Sequence, residues 1–366
     1  MLQRAKTYFF IIFIFTISSL FAQIQMDKNV KQYYFHINAA ERFIMQESYL
    51  QASKEYKKAF SLKNTPFAID QYNAAICEIF TENYKKTKQY VSEILQKGYS
   101  IDNLLKDSVF KVFFESKYGE KIIKNKPKIK IKDVEYRNIL DSLFKEDQFY
   151  RLKVKNHIAT TAEMRDSIEI GDVKVSQSLK KLIEKKGFPS EELIGISEYK
   201  FDPIYYVIML HSFQRLSTTN NDTNRFSDFT YLIEKAVSNG QLYNAVGLRL
   251  LNNSRKYGGI IEDAKSNIII IKIIDSNGFK SEYAYDHPED TVNEWRYFDF
   301  EEKNIAKSDS LLNTFSMDSC HVLRKKIHFN EKGPFKLSVL NWREIFYVSD
   351  KELYNNLIKK SKPLKK

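Results

Sequence analysis

The chain has little cysteine: two residues in 366, Cys77 and Cys320. One pair in so long a chain is not a disulfide scaffold. Cys77 also sits among core positions of a predicted helix, where a buried free thiol is expected. There is no long hydrophobic run either; the longest, Tyr8 to about Phe21, is about 14 residues, short of the ~20 that a membrane-spanning helix needs. A glycine-rich phosphate loop, a nucleophile-elbow sequence and a His-Glu-x-x-His helix are all missing, which removes the standard signatures of phosphate cradles, serine hydrolases and zinc peptidases. Zinc-type ligand spacing is missing too. Cys320, His321 and His328 fall in "CHVLRKKIHF", which reads as a strand. The histidines, seven apart, would then point to opposite faces. No metal and no cofactor are expected.

Acidic charge is also in deficit, with 46 Asp and Glu against 58 Lys and Arg, a formal net charge of +12. Part of the excess belongs to the N-terminus. "MLQRAKTYFFIIFIFTISSLFAQIQ" carries Arg4 and Lys6, then the apolar run, then small residues near Ala22, the layout of a secretory signal peptide. Residues 1–22 are expected to be removed near Ala22, leaving a mature chain with no integral membrane segment and a periplasmic or extracellular location. The remaining basic excess is spread along the chain, apart from "KIIKNKPKIKIK" (Lys121 to Lys132) and the tail "KKSKPLKK". Outside the cytoplasm its natural acidic partner is an anionic envelope ligand; nucleic acid is not expected.

Internal repetition organises the N-terminal part. "INAAERFIMQESYLQASKEYKKAF" starts at Ile37 and "YNAAICEIFTENYKKTKQYVSEIL" at Tyr72. Asn38 matches Asn73, Glu47 matches Glu82 and Tyr49 matches Tyr84. Ala52 faces Thr87, Tyr56 faces Val91 and Ala59 faces Ile94. Each copy reads as two helices around a turn, with small residues at the close approach and Tyr49 or Tyr84 wedging the bend. Over about 33–98 this pattern resembles the tetratricopeptide repeat, which implies a surface for a protein or peptide partner, with Tyr49 and Tyr84 as candidate binding residues. "SIDNLLKDSVFKVFFESKYGEKII" is helical in pattern but lacks the repeat, and is expected to cap the stack as a helix pair.

The expected organisation is mainly α: a short tetratricopeptide-like helical-hairpin array with capping helices over 23–124, a Lys-rich linker over 125–132, a helical domain over 133–260 and a smaller α+β region over 261–366. In the helical domain, "KDVEYRNILDSLFKEDQFYRLKV" is followed by "DVKVSQSLKKLIEKK" closed by Gly187, "PIYYVIMLHSFQRL" started by Asp202-Pro203, "NRFSDFTYLIEKAVSNG" and "QLYNAVGLRLLNN". Gly just past a helix end and Pro near a start are the usual punctuation.

Two of these helices put polar groups where apolar ones belong. The first has a stripe of Tyr136, Leu140, Leu143 and Phe144 that continues into Asp147 and Arg151. At 100° per residue the two flank the direction of Leu140 by about 20° on either side, and their i, i+4 spacing lets them pair. An unpaired charge on a buried stripe costs several kcal/mol, so this arrangement calls for a polar pocket or a buried brace. On the other helix, His211 falls on the face of Ile204, Val207 and Ile208, with Arg215 one turn on. An inward histidine can serve as acid or base near neutral pH; more often it simply bonds a carbonyl.

The same region, about 133–260, resembles an uncharacterised domain found in many exported bacterial proteins, often beside helical repeats. Its members carry an Asp-Gln-x-x-Arg helix, here Asp147, Gln148 and Arg151. A Gly-aromatic-Pro turn follows (Gly187, Phe188, Pro189), then a buried-helix histidine (His211) and a Tyr-Gly (Tyr257, Gly258). Leu210 stands where members usually carry Gln before the histidine. The resemblance supports the domain and names no reaction.

Beyond Gly259 the period becomes strand-like. "SNIIIIKIIDSNGFKSEYAYD" predicts a hairpin about Asn277-Gly278. "NEWRYFDF", "CHVLRKKIHF" and "FKLSVLNWREIFYV" predict further strands, and "NIAKSDSLLNTF" and "DKELYNNLIKKS" predict helices. Two functions fit. One is an exported interaction or scaffold protein that uses the repeat surface, with Asp147 and Arg151 as a brace. The other is a hydrolase-type enzyme with His211 as general base, Arg151 holding an anionic group, Asp147 orienting one of them, Tyr257 lining the pocket and Gln148 a further candidate binding residue.

Overall fold

The computed structural model describes residues 25–198, 200–218, 225–275, 296–298, 302–338, 343–348 and 351–363. The signal-type segment and the Asn277-Gly278 turn lie outside them. The chain is mainly α with a small sheet near its C-terminus, and no helix among the described residues is long and apolar enough to cross a membrane.

Two helical hairpins open the fold: α1 (Lys28–Met45) with α2 (Tyr49–Ser61), and α3 (Ala68–Phe80) with α4 (Tyr84–Gln96). Their turns are built alike. Glu47 (φ 57°) and Glu82 (φ 56°), the matched positions of the repeat, both take the left-handed conformation that non-glycine residues adopt only where a turn demands it. Fully buried Ala40, Ala52 and Ala59 let the first pair close, and Ala74, Ala75 and Thr87 serve the second. The predicted capping helix pair is instead a run of short pieces: α5 (Ile101–Lys106), a 3-10 turn (Ser108–Phe110), α6 (Lys111–Phe114) and α7 (Lys117–Lys124). Asp107 and Ser116 interrupt it because their side chains take backbone N–H groups at each break.

The stretch 125–132 is largely exposed, yet it is stitched to both neighbours. Lys130 N donates to Gln96 O at 2.7 Å, and Lys132 pairs with Glu192. The helical region follows with α8 (Val134–Lys155), α9 (Thr161–Lys186), the short α10 (Glu191–Ile194), α11 (Tyr206–Thr218), α12 (Thr230–Ser238) and α13 (Asn244–Leu251). α9 starts eleven residues before the predicted Asp172, behind a capping box of Thr160 and Glu163. α11 starts at Tyr206 because Pro203 forms the turn before it, its carbonyl accepting from Tyr206 N at 3.0 Å. Gly195 (φ +71°) backs onto the repeats, where an added Cβ would lie 2.3 Å from Lys97 O, so only glycine fits there.

The C-terminal part begins with α14 (Gly258–Ile268), which runs into β1 (Ile270–Asp275). With β2 (Arg296–Phe298), β3 (Arg343–Val348) and β4 (Ser361–Pro363), the sheet order is β3-β1-β2-β4. β1 runs parallel to β3, from Ile270 opposite Arg343 to Asp275 opposite Val348, and antiparallel to β2. Helices α15 (Glu302–Thr314), α16 (Cys320–Lys332) and α17 (Lys351–Lys360) complete it. α16 overturns a predicted strand. Cys320, Leu323 and Ile327 are its buried apolar positions, spaced three and four apart as a helix requires. His321 and His328 then share a side of the helix, although no metal-type cluster among the described residues includes them. Both cysteine thiols are free and buried.

One hydrophobic core runs from Tyr33 to Leu337 through all three parts. The C-terminal part closes directly on the repeats. Asn73 of α3 grips the backbone of Lys336 twice, donating from Nδ2 to its carbonyl at 2.9 Å and accepting its N–H at 2.8 Å. Phe335 stacks on Tyr49 at 5.8 Å. The α1/α3 face is therefore covered by the chain's own residues.

Asp70, fully buried in α3, ties the repeats to the helical region by accepting from Tyr33 Oη at 2.5 Å and from Tyr243 Oη at 3.1 Å. Burial, helped by the nearby Glu41 charge and opposed by those hydrogen bonds, pushes its carboxyl up to about 8. Between the unfolded value, about 3.9, and that point, the folded state holds a proton that the unfolded state has released. Stability from this group is present below the window and is lost as pH rises through it. In urea denaturation at pH 5 and pH 8, the wild type should lose at least about 1 kcal/mol relative to Asp70→Asn; parallel profiles would refute the assignment.

Candidate functional site

Three helices supply the site. α8 brings Asp147, Gln148 and Arg151; α9 brings Asp172; α11 brings His211, Gln214 and Arg215. Asp147 is 3% and Asp172 2% exposed, so each buried carboxylate must be paired to offset its desolvation. Asp147 Oδ1 lies 2.9 Å from His211 Nδ1, and its Oδ2 accepts from Gln148 Nε2 at 2.5 Å. Asp172 takes one Arg151 nitrogen on both oxygens, at 2.7 and 2.9 Å, and Arg215 Nε at 3.1 Å.

The pairing differs from the simple helical brace expected of Asp147 and Arg151. Their side chains stand 3.5 Å apart, while Arg151 donates to the backbone carbonyl of Asp147 at 2.8 Å. The stronger partners come from other helices: His211 for Asp147 and Asp172 for Arg151. Two polar pairs thus lie side by side, linked through Arg151.

The cluster is not sealed. A cleft of about 280 Å³ is lined by Arg151, Asp172, His211, Gln214 and Arg215. The His211, Arg151 and Arg215 side chains keep 17%, 23% and 29% of their surface exposed, while the carboxylates behind them keep 1%. A carboxylate can only accept, so the His211 proton belongs on Nδ1, and the lone pair then sits on Nε2. Nε2 bonds none of the described residues. The ring is thus oriented by Asp147, with its second nitrogen at the edge of an open cleft.

Asp147, Asp172 and His211 could together reach one cation, since a ligand atom from each lies within 4.8 Å of the others. The electrostatics oppose it: both oxygens of Asp172 already hold guanidinium N–H groups, and two guanidiniums balance the two carboxylates. The part-exposed guanidiniums of Arg151 and Arg215 line the open side of the cleft, which suits an anion.

The remaining sequence candidates lie elsewhere. Tyr257 does not line the cleft; its hydroxyl donates to Glu234 at 2.6 Å and its ring packs edge-on to Phe315. Tyr49 stacks between Phe80 and Phe335, and Tyr84 faces Phe113; both pack against neighbouring segments of the chain. Asp172 was not among the sequence candidates, although it carried the same signal as Asp147, a carboxylate on an apolar stripe with Ile168, Val175 and Leu179. Comparison of the chain with protein-family models, with curated proteins and with solved structures returns no match.

Proposed function

We propose that the cleft between α8, α9 and α11 is the general acid–base site of a hydrolase-type enzyme acting on an anionic substrate. The observation that carries this reading is the 2.9 Å contact between Asp147 and His211 Nδ1, behind a cleft whose lining adds two guanidiniums. Arg151 and Arg215 bind the anionic oxygens of the substrate. No Ser, Thr or Cys among the described residues lines the cleft, and the nucleophile in this reading is water. His211 Nε2 takes a proton from water as its oxygen attacks the electrophilic centre, and Asp147 stabilises the resulting imidazolium. The same Nε2–H then protonates the departing oxygen. Asp172 holds both guanidiniums in place, a positioning role.

Purified protein assayed with p-nitrophenyl phosphate, bis(p-nitrophenyl) phosphate and a carboxylate-bearing p-nitrophenyl ester should release nitrophenolate from at least one. Arg215→Ala should raise KM for that substrate by about tenfold, the loss of one charge-assisted contact. If none of the three is turned over above the His211→Ala background, the reading fails.

A second reading, an exported scaffold, draws support from the α1/α3 face, which already grips an extended segment by its backbone through Asn73. A peptide partner would have to use a neighbouring part of the repeats or displace that segment. The paired hairpins support kinship with tetratricopeptide-type repeats, and the ordered Asp147-Gln148-Arg151, Gly187-Phe188-Pro189, His211 and Tyr257-Gly258 motifs support kinship with the exported-domain family. The signal-type N-terminus supports release near Ala22 into the periplasm or beyond, where anionic envelope polymers supply acidic ligands. Mature protein from an envelope fraction should begin at Gln23; an intact Met1 would overturn export by cleavage.

A further inference from the structure

A larger cavity, about 530 Å³, shares no lining residue with the cleft. It lies on the repeats, between α2, α4 and the 125–132 stretch, and its volume falls in the range of small-ligand sites. Its charge is one-sided. Lys57, Lys86, Lys97 and Lys130 line it against a single acid, Glu93, whose oxygens already accept from Gln71 at 2.5 Å and Gln89 at 2.8 Å. Lys97 is turned inward to the Pro66 carbonyl and Glu191. The exposed Lys57 and Lys130 side chains make no ion pair among the described residues.

A second observation points to a ligand. Gln71 is 1% exposed, and its Nε2 donation to Glu93 fixes which end of the amide is oxygen. That oxygen, Oε1, is buried without a hydrogen-bond partner. A buried acceptor left unpaired costs about 1–3 kcal/mol; Gln71 lines the cavity, and a small turn of its side chain on ligand entry would bring Oε1 within reach of a donor. The rest of the lining combines amides (Asn64, Gln89, Gln96) with the rings of Phe60 and Tyr90, which meet edge to face at 5.5 Å.

We infer that this cavity binds an acidic sugar. Its carboxylate, sulfate or phosphate is held by Lys57 and Lys130, a hydroxyl donates to Gln71 Oε1, and the apolar face of the ring lies against the half-buried Phe60. A bare anion would leave Gln71 and Phe60 unused, and a neutral sugar would leave the lysines unpaired. The site is independent of the cleft and of whatever chemistry the cleft performs.

Titration calorimetry on the full chain tests this with digalacturonic acid, glucose 6-phosphate and a sulfated disaccharide, against a neutral galactose disaccharide and inorganic phosphate. At least one acidic sugar should bind about tenfold or more tighter than both controls, the gain of one or two added polar contacts. The surface double change Lys57→Glu with Lys130→Glu should weaken it by about tenfold or more. Gln71→Leu should weaken it by about fivefold, one neutral hydrogen bond. His211→Ala should bind the sugar as the wild type does, and the lysine variant should retain any cleft hydrolysis. The inference is overturned if none of the three sugars binds, if inorganic phosphate binds as tightly, if the lysine changes leave binding intact, or if His211→Ala abolishes it.

Discussion

Asp147→Asn is expected to lower kcat by a factor of about 10² to 10⁴ with little change in KM, the range that positioned acid–base groups contribute. An amide at this position no longer has to accept from His211 Nδ1; its own N–H₂ can donate instead. The imidazole would then carry its proton on Nε2, the nitrogen meant to receive one from water, and the base would be disabled without being removed. His211→Gln should fall at least as far. Combining the two should add little to either, because both act through one proton transfer. The opposite pattern belongs to a structural brace. If Asp147 and His211 only hold α8 to α11, both single changes lower the denaturation midpoint and leave turnover on the best chromogenic substrate within a few-fold of wild type. Measuring kcat, KM and urea midpoints on the same preparations separates the two.

The parts of this site that could be read in the sequence share one property. Asp147, Arg151 and His211 each interrupt a helix face whose other members are apolar, and a charge in such a place needs a partner whatever the fold. What could not be read was which partner. The i, i+4 geometry offered Arg151 to Asp147, but the structure gives the closer contact to His211, from a helix 64 residues on. Asp172 was hidden by a boundary error. With the helix started at Asp172, its carboxylate looks like an N-terminal residue that suits the helix dipole. With the start at Thr160-Thr161, fixed by the capping box, it stands on the inward stripe beside Val175 and Leu179. The hairpin repeat was legible because its Asn-Ala-Ala opening and its turn Glu and Tyr recur in register. α16 was misread because its mixture of β-branched, aromatic and charged residues fits a strand locally, while its true period needs the buried partners Leu323 and Ile327. The join between the repeats and the C-terminal part, with Asn73 and Lys336 separated by 263 residues, leaves no local signature.

That join carries the second large effect. Lys326→Met is expected to cost about 3–5 kcal/mol, the usual penalty for removing one partner of a buried ion pair. Lys326 on α16 and Glu41 on α1 are both fully buried and directly bonded, and Asp318 takes the same ammonium at 2.7 Å. Burial opposes the charge on Lys326, but the carboxylates of Glu41 and Asp318 outweigh it and hold the lysine above its ordinary range. The stability it contributes is therefore intact through neutral pH and is lost only as pH rises past the unfolded lysine value of about 10.4 toward the folded one. Asp318 keeps a second partner in Arg42. Among the described residues Glu41 keeps the N–H of Ser338 at 2.7 Å and the Ser338 hydroxyl at 2.5 Å, too few for a buried carboxylate. Adding Glu41→Gln to Lys326→Met should therefore recover a large part of the loss, because the amide oxygen can accept the Ser338 N–H while its N–H₂ donates to the Ser338 hydroxyl, with no counter-charge needed. Urea denaturation of the wild type, both single variants and the double variant measures the coupling. A Lys326→Met penalty under about 1 kcal/mol, or a double variant no better than the single one, would mean that the Asn73–Lys336 grip and the apolar contacts around Phe335 hold the C-terminal part to the repeats without the ion pair.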